Sequence, residues 1–274
     1  MKDRMQVIRR VPRLPVRARD AHKGDCGTVL VVAGSEGMFG AAILCATAAL
    51  RGGAGLVRVA LPPKYCMLLP LAVPCATTLP RKPGTVRLAA QQAGAVVVGP
   101  GLGASRATRA LVRLVLRHSA GPVVLDADAL NGLAPLRAPI SAKVPVVITP
   151  HPGEAARLLG TTAAAVQADR PAALRELCAK SGAVVVLKGA GTLVGDGTSC
   201  FTNRTGNPGL ATGGSGDVLA GLLGALLAEG MAPFAAACLA VHVHGKAGDL
   251  LEERLSERGL IASDLPLAIA EVLR

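Results

Sequence analysis

The sequence predicts an α/β fold: a mostly parallel central sheet with helices on both faces. Three observations carry this. Six short β-branched runs are apolar at nearly every position, Ala/Leu-rich stretches of helical length separate them, and glycine-rich loops follow the runs. A strand covered on both faces reads as a continuous apolar run, and parallel strands need crossover helices between them. The predicted strands are 29–33, 57–61, 96–99, 123–125, 146–149 and 184–187, and the predicted helices are 40–51, 105–118, 152–159, 164–181, 217–229 and 234–254. After Leu187 the pattern changes. Thr192–Val194 and Ser199–Thr202, joined by Gly195-Asp196-Gly197, read as a C-terminal β-hairpin. Leu61 to Pro83 carries six prolines and reads as an irregular excursion.

The chain has 274 residues, enough for one large α/β domain. No uninterrupted apolar run approaches the roughly 18 to 20 residues that cross a bilayer, so a soluble protein is expected. Lys and Arg outnumber Asp and Glu by 30 to 18, a formal charge of +12 that favours anionic partners. One Tyr, three Phe and no Trp leave little on which to stack bases, which argues against nucleic acid. The basic start (Arg4, Arg9, Arg10, Arg13, Arg17, Arg19, Lys23) lacks the apolar core of a secretory signal and reads as a solvated arm over 1–22, with a single domain over 23–274. Seven cysteines with no C-x-x-C pair suggest neither a disulfide framework nor a zinc site, and a reducing cytoplasm is expected.

Ligands of open parallel sheets bind beyond the carboxyl ends of the strands, so the motifs that follow strands matter most. The densest is Asn207 to Asp217, where Gly209, Gly213, Gly214 and Gly216, with Gly206 just ahead of them, precede one carboxylate at a helix start. Glycines let backbone N–H groups approach an anion, and the first helical turn adds unpaired donors and a positive dipole end. The plain alternative is that Asp217 only caps the helix. Lys188-Gly189-Ala190-Gly191-Thr192 adds a cation, two glycines and a hydroxyl suited to phosphate oxygens, although no Walker A pattern exists.

Other motifs leave two readings open. Gly34 to Gly40 is either a tight turn over a ligand or an ordinary strand–helix loop. Gly99-Pro100-Gly101-Leu102-Gly103-Ala104 fits G-x-G-x-x-A formally, but two strands precede it and Pro100 removes a donor. Asp126, Asp128 and Asn131 either hold Mg²⁺ through water or form a capped turn. His151, between Pro150 and Pro152, is held in one direction ahead of Glu154. His242 and His244, two apart on a helix, face different ways and read as packing or surface residues.

Taken in order, these motifs resemble the ribokinase-like superfamily, and within it the NAD(P)H-hydrate dehydratases, which repair hydrated nicotinamide cofactors. The resemblance runs from about Lys23 to the C-terminus through Ala33-Gly34-Ser35 with Gly40-Ala41-Ala42, Gly99 to Gly103, Asp126 to Asn131, His151 to Glu154, Lys188-Gly189 and Asn207 to Asp217. It implies a three-layer sandwich. It also implies that Asp217 is the catalytic base and a substrate contact, that Ala41, Gly103 and His151 contact the hydrated cofactor, and that Lys188, Gly189, Ala190, Gly191, Thr192 and Gly216 bind the nucleotide. Gly213, Gly214, Ser215 and Gly216 form the implied anion hole, with no direct metal ligand assigned. Two departures stand out: Ser215 occupies a position where methionine is expected, and the epimerase domain often fused upstream does not precede the match. A separate epimerase chain is then expected.

The implied reaction uses ADP, or ATP, as co-substrate with Mg²⁺, and returns NADH or NADPH from its hydrate with release of AMP and phosphate. Homo-oligomers, tetramers above all, are expected from the family, with no membrane or nucleic-acid partner. Three rivals remain at this point: a small-molecule kinase of the same superfamily, acting on a vitamin precursor or sugar; a redox enzyme using Gly99 to Ala104; and a nucleotide- or RNA-binding protein.

Overall fold

A computed structural model describes residues 5–274; Arg4 of the basic stretch lies outside them. Ten strands form one sheet: β1 (Gln6–Ile8), β2 (Thr28–Val32), β3 (Leu56–Leu61), β4 (Thr77–Pro80), β5 (Ala95–Val98), β6 (Val123–Leu125), β7 (Val146–Ile148), β8 (Val184–Leu187), β9 (Leu193–Gly195) and β10 (Ser199–Thr202). Their spatial order is β1-β10-β9-β8-β7-β6-β5-β2-β3-β4. All pairings are parallel except β8 with β9 and β9 with β10.

The helices are α1 (Phe39–Arg51), α2 (Leu69–Ala72), α3 (Pro83–Gln92), α4 (Arg106–His118), α5 (Asp128–Leu133), α6 (Pro152–Leu159), α7 (Ala163–Ala168), α8 (Arg170–Ser181), α9 (Ser215–Ala228), α10 (Pro233–Leu255) and α11 (Leu265–Val272). None of them is long and apolar enough to cross a membrane.

The period-2 alternation of β2 shows how the layers arise. Val29 and Val31 join one core, with residues of α1, α9, α10 and α11. Leu30 and Val32 join the other, with residues of α3, α4, α6 and α8. Each of these four side chains is fully buried, contributing roughly 1.5–3 kcal/mol apiece. Helix α9 is buried almost all round, wedged between α1, α10 and the sheet. That wedge fixes where its N-terminus, and hence Asp217, must lie.

Several elements differ from the sequence expectation. The basic stretch is not simply solvated: Gln6–Ile8 pairs with β10, Val11 and Leu14 pack on the core, and Arg17 bonds Glu229 and the Gly53 carbonyl. The proline-rich excursion holds a 3₁₀ turn (Pro63–Tyr65), α2 and the edge strand β4, whose Pro80 sits where an edge tolerates it. In it Tyr65 stacks on Phe39 with ring centroids 5.3 Å apart. The single helix expected over 164–181 is two, because Asp169 ends α7 and caps α8 by accepting from the Ala172 N–H. The expected hairpin is present as β9–β10, with β1 added outside it as the edge strand and α9 to α11 following it in the chain.

Candidate active site

The carboxyl ends of β2, β5, β6, β7 and β8 deliver their loops to one edge of the sheet, where the N-terminus of α9 meets them. A cavity of about 840 Å³ opens there. Its walls are the Lys188–Thr192 loop, the segment Thr202–Asn207, His151, the α9 start at Ser215 and Gly216, and Val241, His244 and Gly245 of α10.

Lys188 is the hub. Its Nζ lies 2.8 Å from Asp126 Oδ1 and 3.9 Å from Glu154 Oε2. Asp126 is 1% exposed, and the same Oδ1 accepts from Thr149 Oγ1 at 2.8 Å. Burial opposes the Lys188 charge, but Asp126, Glu154 and Asp217 outweigh it and hold the ammonium above its usual range. Burial pushes the Glu154 carboxyl up, against the pull of Lys188. Glu154 and His151 also form a reciprocal cap on α6: Glu154 Oε2 accepts from the His151 N–H at 2.8 Å, and His151 Nδ1 accepts from the Gly153 N–H at 3.0 Å. The His151 imidazole is half-exposed and lines the cavity; burial, Lys188 and Arg157 lower its pKa.

Helix α9 begins two residues earlier than expected. Gly214 is the N-cap, so Asp217 is not the cap but an acid in the first turn. Gly216 explains the approach: a Cβ there would stand 3.2 Å from Lys188 Nζ and 3.9 Å from Asp126 Oδ2. The α9 start and the ammonium thus stand close enough that a side chain at this position would crowd Nζ. One residue on, the Asp217 carboxyl is raised to about 7, by burial first and then by the negative charge of Asp126, with Lys188 opposing. Asp217 does not itself line the cavity, whereas Ser215 and Gly216 do; Gly213 and Gly214 do not.

Ala41 and Gly103 also lie outside the cavity wall, on the neighbouring β2 and β5 side. The Gly103 N–H donates to Asp128 Oδ2 at 2.8 Å, and Asn131 Nδ2 reaches Asp128 Oδ1 at 3.4 Å, while α5 has Ala127 as its N-cap and no side chain capping it. Asp128 in turn helps raise the Asp217 pKa, which ties this side of the site to the first. Gly99 has φ +133°, and a Cβ would fall 1.8 Å from the Asp126 carbonyl oxygen. The G-x-G-x-x-A match therefore marks a close crossing of two strand ends. Among the described residues, no three His, Cys, Asp or Glu side chains converge to hold a metal ion.

The roles of His244 and Arg170 escaped the sequence reading, and Asn207, which opens the glycine-rich motif, shows a feature the motif alone did not reveal. His244, read as packing or surface, is buried with Nε2 at 3.0 Å from the Ser215 carbonyl and 3.2 Å from its Oγ. Arg170 braces the nucleotide loop from behind, donating to the Leu187 carbonyl at 3.0 Å and to the Lys188 carbonyl at 3.2 Å. Asn207 turns its Oδ1 to the Gly209 N–H at 2.9 Å, leaving a buried Nδ2 without a partner in the cavity wall. An orphaned donor of this kind fits an acceptor-rich ligand such as a nucleotide. No local pattern marks His244 or Arg170, since their partners are distant in sequence.

The comparisons with known proteins agree with this geometry. The family model described as NAD(P)H-hydrate dehydratase matches residues 29–270. The ADP-dependent (S)-NAD(P)H-hydrate dehydratase of Neisseria meningitidis serogroup B is 45% identical, over 96% of this chain and 92% of its own length. The bifunctional NAD(P)H-hydrate repair enzyme of Coxiella burnetii is also 45% identical over 93% of this chain, which spans 52% of that longer protein. In structure, the ADP/ATP-dependent NAD(P)H-hydrate dehydratase of Bacillus subtilis, co-crystallised with ATP and Mg²⁺, superposes with a TM-score of 0.87 at 34% identity, covering 95% of this chain and 93% of that one. The architecture is the ribokinase-like sandwich that the motif order implied. With the match extending across both layers of helices and every strand from β2 to β10, the chain belongs to the NAD(P)H-hydrate dehydratase family.

Proposed function

We propose that this protein removes water from the S-form of hydrated NADH or NADPH at the expense of ADP, giving the reduced cofactor, AMP and phosphate. The observation that carries this is Asp217: it follows the Gly216–Lys188 approach by one residue, and its carboxyl at about 7 suits a general base near neutrality. Asp217 accepts the proton of the ring hydroxyl while that oxygen attacks the terminal phosphate of ADP. The P–O bond to AMP breaks, and phosphate then leaves its ring carbon while the adjacent carbon gives up a proton to the departing phosphate or to water, which restores the ring double bond of the nicotinamide. Phosphorylation turns hydroxide, a poor leaving group, into a good one.

Lys188 and the backbone N–H of Gly216 meet the charge that develops on the transferred phosphate, while Ala41, Gly103 and His151 hold the hydrated ring. Gly189, Ala190, Gly191 and Thr192 cradle the nucleotide, and Gly213, Gly214 and Ser215 complete the anion hole. Mg²⁺, when bound with the nucleotide, would supply charge neutralisation on the phosphates, and Asp126, the acid nearest Lys188, would face it through water. Residues 23–274 form the catalytic domain in this reading, supported by the match over 29–270, and the arm before them adds the edge strand β1 to its sheet. Homo-oligomerisation, a separate epimerase and a cytoplasmic setting rest on the family resemblance alone.

The test is to incubate the protein with hydrated NADH, ADP and Mg²⁺, following reduced-nicotinamide absorbance together with AMP and phosphate. The proposal requires all three to rise together. AMP without recovered NADH would identify a kinase instead, and no change in any signal would leave only binding.

A further inference from the structure

Helix α10 supplies side-chain or backbone partners to two walls of the cavity at once. On one side Asn203 Nδ2 donates to the Val241 carbonyl at 3.0 Å, Thr205 Oγ1 to the His242 carbonyl at 2.9 Å, and the Gly206 N–H to Asp249 Oδ1 at 2.9 Å. On the other, His244 Nε2 reaches the Ser215 carbonyl at the first turn of α9. A carbonyl oxygen only accepts, so Nε2 carries the hydrogen and the tautomer is fixed. The ring lies beside the positive end of α9 and the Lys188 charge, where an imidazolium is disfavoured; burial first, and Lys188 after it, lower its pKa to about 4.

The peptide unit is planar and trans, so the Ser215 carbonyl and the Gly216 N–H share one rigid plane and point opposite ways. Holding the carbonyl therefore aims the N–H. We infer that His244 is a positioning residue: by gripping the Ser215 carbonyl it orients the Gly216 N–H toward the transferred phosphate and keeps the α9 start registered against the Thr202–Asn207 wall. The reaction named here rests on the dehydratase reading, but the orientation of the peptide does not.

The experiment compares His244→Leu with His244→Gln, whose side-chain amide nitrogen reaches about as far as Nε2. His244→Leu is expected to lower kcat roughly ten- to hundredfold, as residues that orient a reacting group from behind commonly do, with the KM for the hydrate little changed. His244→Gln is expected to recover most of that loss. Hydrogen exchange of the amides at 216–219 is expected to quicken in His244→Leu and return in His244→Gln, with the remainder of α9 unchanged. Should His244→Leu fail to fold, His244→Asn, too short to reach, takes its place against His244→Gln. Unchanged kcat in the leucine variant, equal losses in the reaching and non-reaching variants, or unaltered exchange at 216–219 would each overturn the inference. If the wild-type protein gives no turnover, the dehydratase reading falls by itself, and the exchange comparison still decides the role of His244.

Discussion

Lys188 Nζ and Asp126 Oδ1 stand 2.8 Å apart, joining the end of β8 to the end of β6 across the intervening strand β7. Lys188→Met keeps the length and removes the charge, leaving Asp126, at 1% exposure, without its cation. Stability is expected to fall by about 3 kcal/mol, the low end for a broken buried pair because Lys188 keeps 19% of its side chain exposed. Urea unfolding measures this, and a loss under about 1 kcal/mol would mean the pair is screened as at a surface.

Asp217→Asn is expected to cut turnover by at least about a hundredfold, the lower range for losing a general base, while ADP still binds by calorimetry. A variant with near-native rate removes Asp217 from the mechanism. In the native enzyme kcat/KM rises with pH through about 7, because the base acts only when deprotonated.

The same carboxyl makes stability depend on pH. Its pKa is about 7 in the fold against 3.8 in the unfolded chain, so folding takes up a proton between those values. Stability contributed by this group therefore falls as pH rises from about 4 to 7. Asp217→Asn removes that penalty, and its melting temperature is expected to gain on the native one across that window; a constant difference would contradict the raised pKa.

Arg170→Ala removes both hydrogen bonds that brace the Leu187 and Lys188 carbonyls. The nucleotide loop loses its backing while the cavity keeps its lining residues. ADP affinity is expected to drop about tenfold, or 1.4 kcal/mol, comparable to one charge-assisted hydrogen bond. Unchanged affinity in a titration would show that the loop holds its shape unaided.

Gly99→Ala forces a Cβ into the Asp126 carbonyl at a positive φ. Backbone must move, at a cost of roughly 3 kcal/mol in denaturant unfolding. Displacing Asp126 also shifts Lys188, so activity falls with stability. A variant as stable as the native protein would mean the crossing relaxes more freely than its geometry indicates.

The central sheet was legible because its strands are buried on both faces and their composition leaves no other element of that length: Val123–Leu125 and Val184–Leu187 were read to the residue. What failed was governed by contacts that local composition does not carry. Gln6–Ile8 looks like part of a charged tail until β10 offers it an edge. Pro83 and Pro80 suggested irregularity, yet one opens α3 and the other ends an edge strand, the two places where a missing N–H costs least.

At the site, loops that follow strands announced themselves through glycine, and Lys188, His151 and Gly216 do border the cavity. The remaining members are set by distance in space. Asp126 looked equally like a magnesium ligand or a turn residue, and only the reach of Lys188 shows its engagement. His244 gave no signal at all, because its partner Ser215 lies on another helix.

The stacked pair Tyr65 and Phe39 has a practical consequence. With no tryptophan and one tyrosine in the chain, ultraviolet emission excited to the red of phenylalanine absorption originates at a single ring. That ring touches the residue that opens α1, two positions from Ala41. The molecule thus carries a built-in optical reporter at the doorway proposed for the hydrated dinucleotide, and quenching or brightening of its glow dates the arrival of that guest without any dye.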